Sequence, residues 1–383
     1  MTETAPGTER GAYFWMDCLR FGAATAVVLE HARDLLFLTN AEAHTSAAAW
    51  KLFYFLTGFG HEAVMVFFVL SGFWISSAVD RRADRGDFWP QYMVDRMSRL
   101  MIVIVPALLL GGLLDLASLA LHSPYALGQS GALTLQEDIR PDLGLAVLLG
   151  NALFLQTIAV HTFGSNGPLW SLANEFWYYL WFPALLLTVQ RKRPSLALAS
   201  FAVALIAPSF LEGFVVWLMG AGLYHLDKRQ TEPAGMAGAA RLLLPGTAAV
   251  LACALAAARL QHLGRASDLV VGGAFALFLW SLLRANPAPL RLARPVARFG
   301  AAASFSLYAT HLPMLVLLAT IVPPSGRSPP DLVRLAEFAA TVLILLLFAR
   351  GFAWATEFRT GLLRSALRRR LISTPAVHES TGG

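Results

Sequence analysis

Residues 12–31 read AYFWMDCLRFGAATAVVLEH, an apolar run interrupted by ionisable groups. Its apolar length matches the ~20 residues that a bilayer-spanning helix needs, yet it carries Asp17, Arg20 and His31. Arg20 and His31 are about three helical turns apart, so as a helix both side chains share one face, some ~16 Å apart along the axis. An intramembrane Arg aligned with a His is expensive without a water-filled path or a partner, which makes the stripe a functional candidate. The plainer alternative pairs Asp17 with Arg20 at i, i+3 and leaves His31 as an interfacial residue.

Outward from this stretch, the 383 residues are 56% hydrophobic and 14% charged, with mean hydropathy +0.57. No polar block is long enough for a soluble domain, so the expectation is an all-α polytopic membrane helix bundle. The net charge of +6 sits in short connectors and near the C-terminus rather than on an aromatic-interleaved patch, which argues against nucleic-acid binding. Cys18 and Cys253 both fall in apolar segments, so the sequence offers no disulfide framework and no metal-ligand spacing, and no metal is expected. The first ten residues lack the basic start of a cleaved signal, and segment one is read as a retained helix.

The apolar segments are 12–31, 59–79, 100–121, 143–158, 169–189, 194–207, 208–226, 241–259, 268–284, 299–322 and 332–354. Arg and Lys concentrate in connectors 80–99, 190–194, 227–241, 284–298 and the tail. Placing all five on the cytoplasmic side requires 143–158 to be re-entrant or interfacial, which leaves about ten transmembrane helices and both termini cytoplasmic. The domain plan is a polar tail (1–11), a membrane domain (12–355) and a basic cytoplasmic tail (356–383). Segment 87–100 reads as an amphipathic lead into the third span, and 122–142 as a loop.

Further polar groups recur inside the spans. Ser71-Gly72 is a small pair of the kind that lets helices pack closely. Arg96 and Arg99 face the same way at i, i+3, either as snorkelling anchors or as paired guanidiniums suited to a pyrophosphate. Trp170 and the following aromatics fit an interfacial belt, which leaves Glu175 unexplained. Ser304, Tyr308 and His311 form one polar stripe at i, i+4 and i+7, readable as core hydrogen bonding or as a site.

Taken together, Asp17-x-x-Arg20 with His31, then FFVLSGF (67–73), Arg96-x-x-Arg99, Trp170-Ser171-Leu172-x-x-Glu175, and SFSLYATHLP (304–313) resemble the acyltransferase 3 family of integral-membrane O-acyltransferases over about residues 13–355. The resemblance implies a stand-alone enzyme that moves an acyl group, commonly acetyl from acyl-coenzyme A, onto a hydroxyl of a carbohydrate or glycosylated acceptor. It further implies an integral multi-pass protein of the bacterial inner membrane. The expected donor site is Arg96 and Arg99, with Arg20 deeper and Ser71 alongside; Asp17, Ser304 and Trp170 support. His31 is expected to act as general base on the acceptor, since an imidazole with an ordinary pKa of ~6.5 is largely neutral at working pH. Glu175 is expected to orient it or to stabilise it once protonated, Tyr308 or Ser304 to donate to the developing oxyanion, and His311 is the rival base. A transporter or glycan exporter using the same Arg, Glu and His as a pathway is the competing reading.

Overall fold

The computed structural model describes residues 10–192, 200–229, 236–261, 263–322 and 326–372. They form α1 (Gly11–Leu36), α2 (Ala48–Leu56), α3 (Gly60–Asp80), α4 (Phe88–Ala120), α5 (Leu145–Ala152), α6 (Trp170–Arg191), α7 (Val203–Ile206), α8 (Ser209–Arg229), α9 (Met236–Arg259), α10 (Ser267–Ala285), α11 (Arg294–Ala301), α12 (Ser304–Ile321), α13 (Leu332–Ala355) and α14 (Thr360–Leu371). Among the described residues no extended strand forms. Helices are what lipid permits, because each backbone N–H and C=O finds its partner within the segment.

Eight of the described helical stretches are long and apolar enough to cross a membrane. The protein is an all-α polytopic membrane bundle. The more polar α6 runs beside α8 in the same direction, with the Tyr178 hydroxyl donating to Phe210 O at 2.8 Å and Phe182 packed on Trp217. The chain must therefore return between them. The expected span 194–207 falls on that return; its first part, 194–199, lies outside the described residues, and 200–206 form only short helical turns.

The bundle has two unlike ends. At the basic end Arg10 pairs with Asp227 at 2.6 Å, and Asn286 Oδ1 accepts from Ala12 N at 3.0 Å, fixing the start of α1. At the loop end Glu30 accepts from Gly60 N at 2.6 Å, a carboxylate at the N-terminus of α3 where the helix dipole favours it. Between the ends, α3 and α8 run parallel and very close. A Cβ on Gly72 would strike the Trp217 carbonyl, and one on Gly220 would strike that of Val69. With no hydrophobic drive between helices in lipid, such backbone proximity supplies the packing.

The expected re-entrant segment is a wedge at the loop end. The helix α5 is only about two turns long, and the chain then folds back through 153–169. The fully buried Asp115 on α4 holds the wedge by accepting from Ser165 N at 2.9 Å and Ser165 Oγ at 2.6 Å. Gly164, at φ +57°, passes against that carboxylate where a side chain would collide. Asn151 and Gln156 bind the backbone at His161, Phe163 and Leu169. The wedge thereby delivers Pro168 and the start of α6 to the centre of the bundle.

Candidate active site

Where α1, α6 and α12 meet, two histidines 280 positions apart touch. His31 Nδ1 lies 2.8 Å from His311 Nε2, with the rings parallel to within 3°. The other nitrogen of His311, Nδ1, faces the carbonyl oxygens of Tyr308 at 2.8 Å and Leu307 at 3.2 Å. Carbonyls only accept, so His311 Nδ1 carries the proton and its Nε2 presents a lone pair. His31 Nδ1–H must then donate to it, which leaves the lone pair of a neutral His31 on Nε2. Among the described residues that atom has no hydrogen-bond partner, and it is not one of the sealed, unpartnered polar atoms, so it opens into accessible space. The two residues read from sequence as rivals are partners.

Helix α12 is positioned by the wedge. The Tyr308 hydroxyl lies 2.9 Å from Pro168 O and 2.7 Å from Ser171 Oγ, and Ser171 Oγ lies 3.3 Å from the same carbonyl, so the phenol proton has an acceptor in Pro168 O or in Ser171 Oγ. Asn166 Nδ2 donates to Ala309 O at 2.9 Å. The expected role of Tyr308 as an oxyanion donor therefore meets a geometry in which its proton is already engaged. Ser304 is buried at the start of α12.

Among the described contacts none joins Glu175 to His31. Glu175 stands one turn beyond Ser171, on the side facing α3, where its Oε1 accepts from Ser71 Oγ and Tyr179 OH, each at 2.6 Å. The Ser71-Gly72 pair thus splits its work, Gly72 packing on α8 and Ser71 holding this carboxylate. Trp170, on the same helix, stacks near His61 at the loop end.

A second layer lies about 16 Å toward the basic end, the rise from His31 to Arg20 along α1. Arg20 Nη1 pairs with Asp17 Oδ1 at 3.0 Å and lies in electrostatic range of Arg99, Glu175 and Glu357. Arg99 is exposed and also senses Glu357 and Tyr179. Arg96 lies over the Tyr92 ring, and its Nε is buried without a partner. Among the described residues neither Arg96 nor Arg99 has an ion pair or hydrogen bond. Sequence reasoning missed Glu357, whose Oε2 accepts from Ser306 Oγ at 3.0 Å. Its signal was a lone carboxylate just past the last apolar segment, in a stretch rich in arginine.

Among the described residues no group of three or more His, Cys, Asp or Glu could hold a metal ion. A cavity of about 450 Å³ between α1 and α11 is lined by Trp15, Phe21 and other residues, none of them Asp, Glu, Lys, Arg or His.

Comparison with known proteins adds one finding: the acyltransferase 3 family model, described as an acyltransferase domain, matches residues 13–355. No curated protein and no solved structure matches the chain.

Proposed function

The chain belongs to the acyltransferase 3 family and is an integral multi-pass membrane enzyme of O-acyl transfer, and from that premise we propose acyl-coenzyme A as its donor, with acetyl as the group moved. The proposed acceptor is a hydroxyl of a carbohydrate or glycosylated molecule, and His31 is the general base. The observation that carries this reading is the His31–His311 pair, because it turns one imidazole nitrogen into an oriented, accessible proton acceptor.

In the proposed reaction His31 Nε2 takes the hydroxyl proton as the oxygen attacks the thioester carbonyl. The C–O bond forms, the C–S bond breaks, and the proton passes from His31 to the departing thiolate, giving an ester and free coenzyme A. Throughout, His31 Nδ1–H stays donated to His311, which fixes the ring and favours the transient cation. Arg20, Arg96 and Arg99 supply positive charge for donor phosphates, since guanidinium forks match phosphate oxygens. Glu175 and Glu357, tethered by Ser71, Tyr179 and Ser306, keep Arg20 and Arg99 from dispersing. The Lys and Arg content of the basic end supports a cytoplasmic position for it, and the proposed membrane is the bacterial inner membrane with both termini on that side.

The test is purified protein in nanodiscs with acetyl-CoA and a glycan acceptor. Thiol release that depends on acceptor, together with an acetyl ester on the product, is the expected result. Glycan flux across vesicles with no thioester consumed would replace the enzyme with an exporter.

A further inference from the structure

Residues 356–371 lie beyond the matched segment 13–355, yet they complete the basic end. Helix α14, read from sequence as part of a tail, packs across the start of α4 and brings two arginines to one carboxylate. Asp95 is 2% exposed. Its Oδ2 accepts from Arg82 Nη1 at 2.5 Å, its Oδ1 accepts from Arg368 Nη2 at 2.7 Å, and Arg364 Nε stands 3.6 Å from Oδ1.

Among the described ion pairs three guanidiniums share this one carboxylate, an excess of two positive charges over the anion they contact (three cations less one anion). A carboxylate buried for stability alone needs only one such partner. The arginines are also not consumed by Asp95, because their side chains remain 26%, 34% and 40% accessible for Arg82, Arg364 and Arg368. Snorkelling anchors spread along a helix and point to separate headgroups; these come from two elements and converge. Arg96, next in sequence to Asp95, adds a fourth cation without an ion pair among the described residues.

We propose that Arg82, Arg364 and Arg368, ordered by Asp95, form a cradle for a phosphate group. Arginine forks arranged around a common centre suit the oxygens of phosphate, and the surplus charge accommodates up to a dianion. Two sources offer this chemistry at a membrane face: the 3′-phosphate of coenzyme A, an assignment that rests on the donor proposed above, and an anionic lipid headgroup.

The experiment compares wild type with Arg364→Gln/Arg368→Gln, both confirmed folded by thermal unfolding, in phosphatidylcholine nanodiscs. Binding of coenzyme A and of 3′-dephospho-coenzyme A is measured by calorimetry. For a nucleotide phosphate in the cradle, wild type binds coenzyme A about 10- to 100-fold more tightly than the dephospho form, the range of charge-assisted hydrogen bonds. The double variant loses that preference while its affinity for dephospho-coenzyme A stays the same, and Arg82→Gln reduces the preference on its own. For a lipid phosphate, wild type shows no such preference, but phosphatidylglycerol raises its unfolding temperature and leaves that of the double variant unmoved. If neither the coenzyme preference nor the lipid effect depends on these arginines, the cradle is overturned. A wild-type protein that shows the preference but never transfers an acyl group would sink the transferase reading and leave the cradle standing.

Discussion

The loop end and the arginine layer both bury charge in a membrane protein, but they treat it differently. At the loop end Asp34 accepts from Thr134 N and Oγ1 and from Leu133 N. Asp115 accepts twice from Ser165, and Arg327 donates to the carbonyls of Asp34, Phe37 and Gly131. In the arginine layer Arg96 and Arg99 have no ion pair or hydrogen bond among the described residues, and Arg20 has only Asp17 of its own helix. Bonded charge of the first kind builds the scaffold. Arg96, whose Nε is buried without a partner among the described residues, is costly to keep for packing, and Arg99 beside it is exposed; the proposed donor phosphates would give both a partner. The partner, more than the charge itself, separates structure from function here.

That contrast can be broken by measuring activity and stability on the same variants. His31→Ala should show the largest effect, a fall in kcat of about 10² to 10⁴-fold, the usual worth of a general base, with coenzyme A binding and unfolding temperature kept. Arg99→Ala should raise the KM for acyl-CoA about 10- to 100-fold, the value of a charged hydrogen bond, without lowering the unfolding temperature. A drop in stability there would mean that the guanidinium has a structural partner after all. Asp115→Ala should do the reverse, destabilising by about 2–3 kcal/mol through two orphaned donors and leaving the donor KM alone. Gly72→Val should cost about 1–3 kcal/mol by forcing α3 from α8.

The smallest effect belongs to the exposed Glu42, whose carboxyl is held below its usual range by the Thr39 N–H and hydroxyl, with Arg327 adding to it. A depressed carboxyl pKa stabilises above the unfolded value and loses that stabilisation as pH falls through the folded one. Glu42→Gln should therefore lower the unfolding temperature slightly at neutral pH, and the difference from wild type should vanish in acid.

Much of this was legible in the sequence because it is local. Apolar runs of membrane length give eight of the ten or so expected spans, all but the more polar 169–189 and the partly described 194–207, and the bias of arginine into connectors identifies the basic end and demotes 143–158, which forms the wedge. The i, i+3 pairing of Asp17 with Arg20 is likewise a property of one helix. What the sequence hid is tertiary. Nothing local says that His31 meets His311, or that Ser171 instead of Glu175 is the α6 residue that reaches α12. The spacing of Ser71-Gly72 revealed a close contact but not that its two residues face different neighbours. Nothing local marks Asp95, and only the packing of α14 on α4 makes it the centre of three arginines.

The most direct measurement is the saturated turnover rate of His31→Ala, His311→Ala and the double variant, each with coenzyme A binding verified. Histidines acting as one unit are non-additive. The double variant should be no slower than His31→Ala, and His311→Ala should be slow while still dependent on a deprotonated group. A His31→Ala enzyme that turns over at the wild-type rate, or two losses that simply multiply, would contradict the paired base.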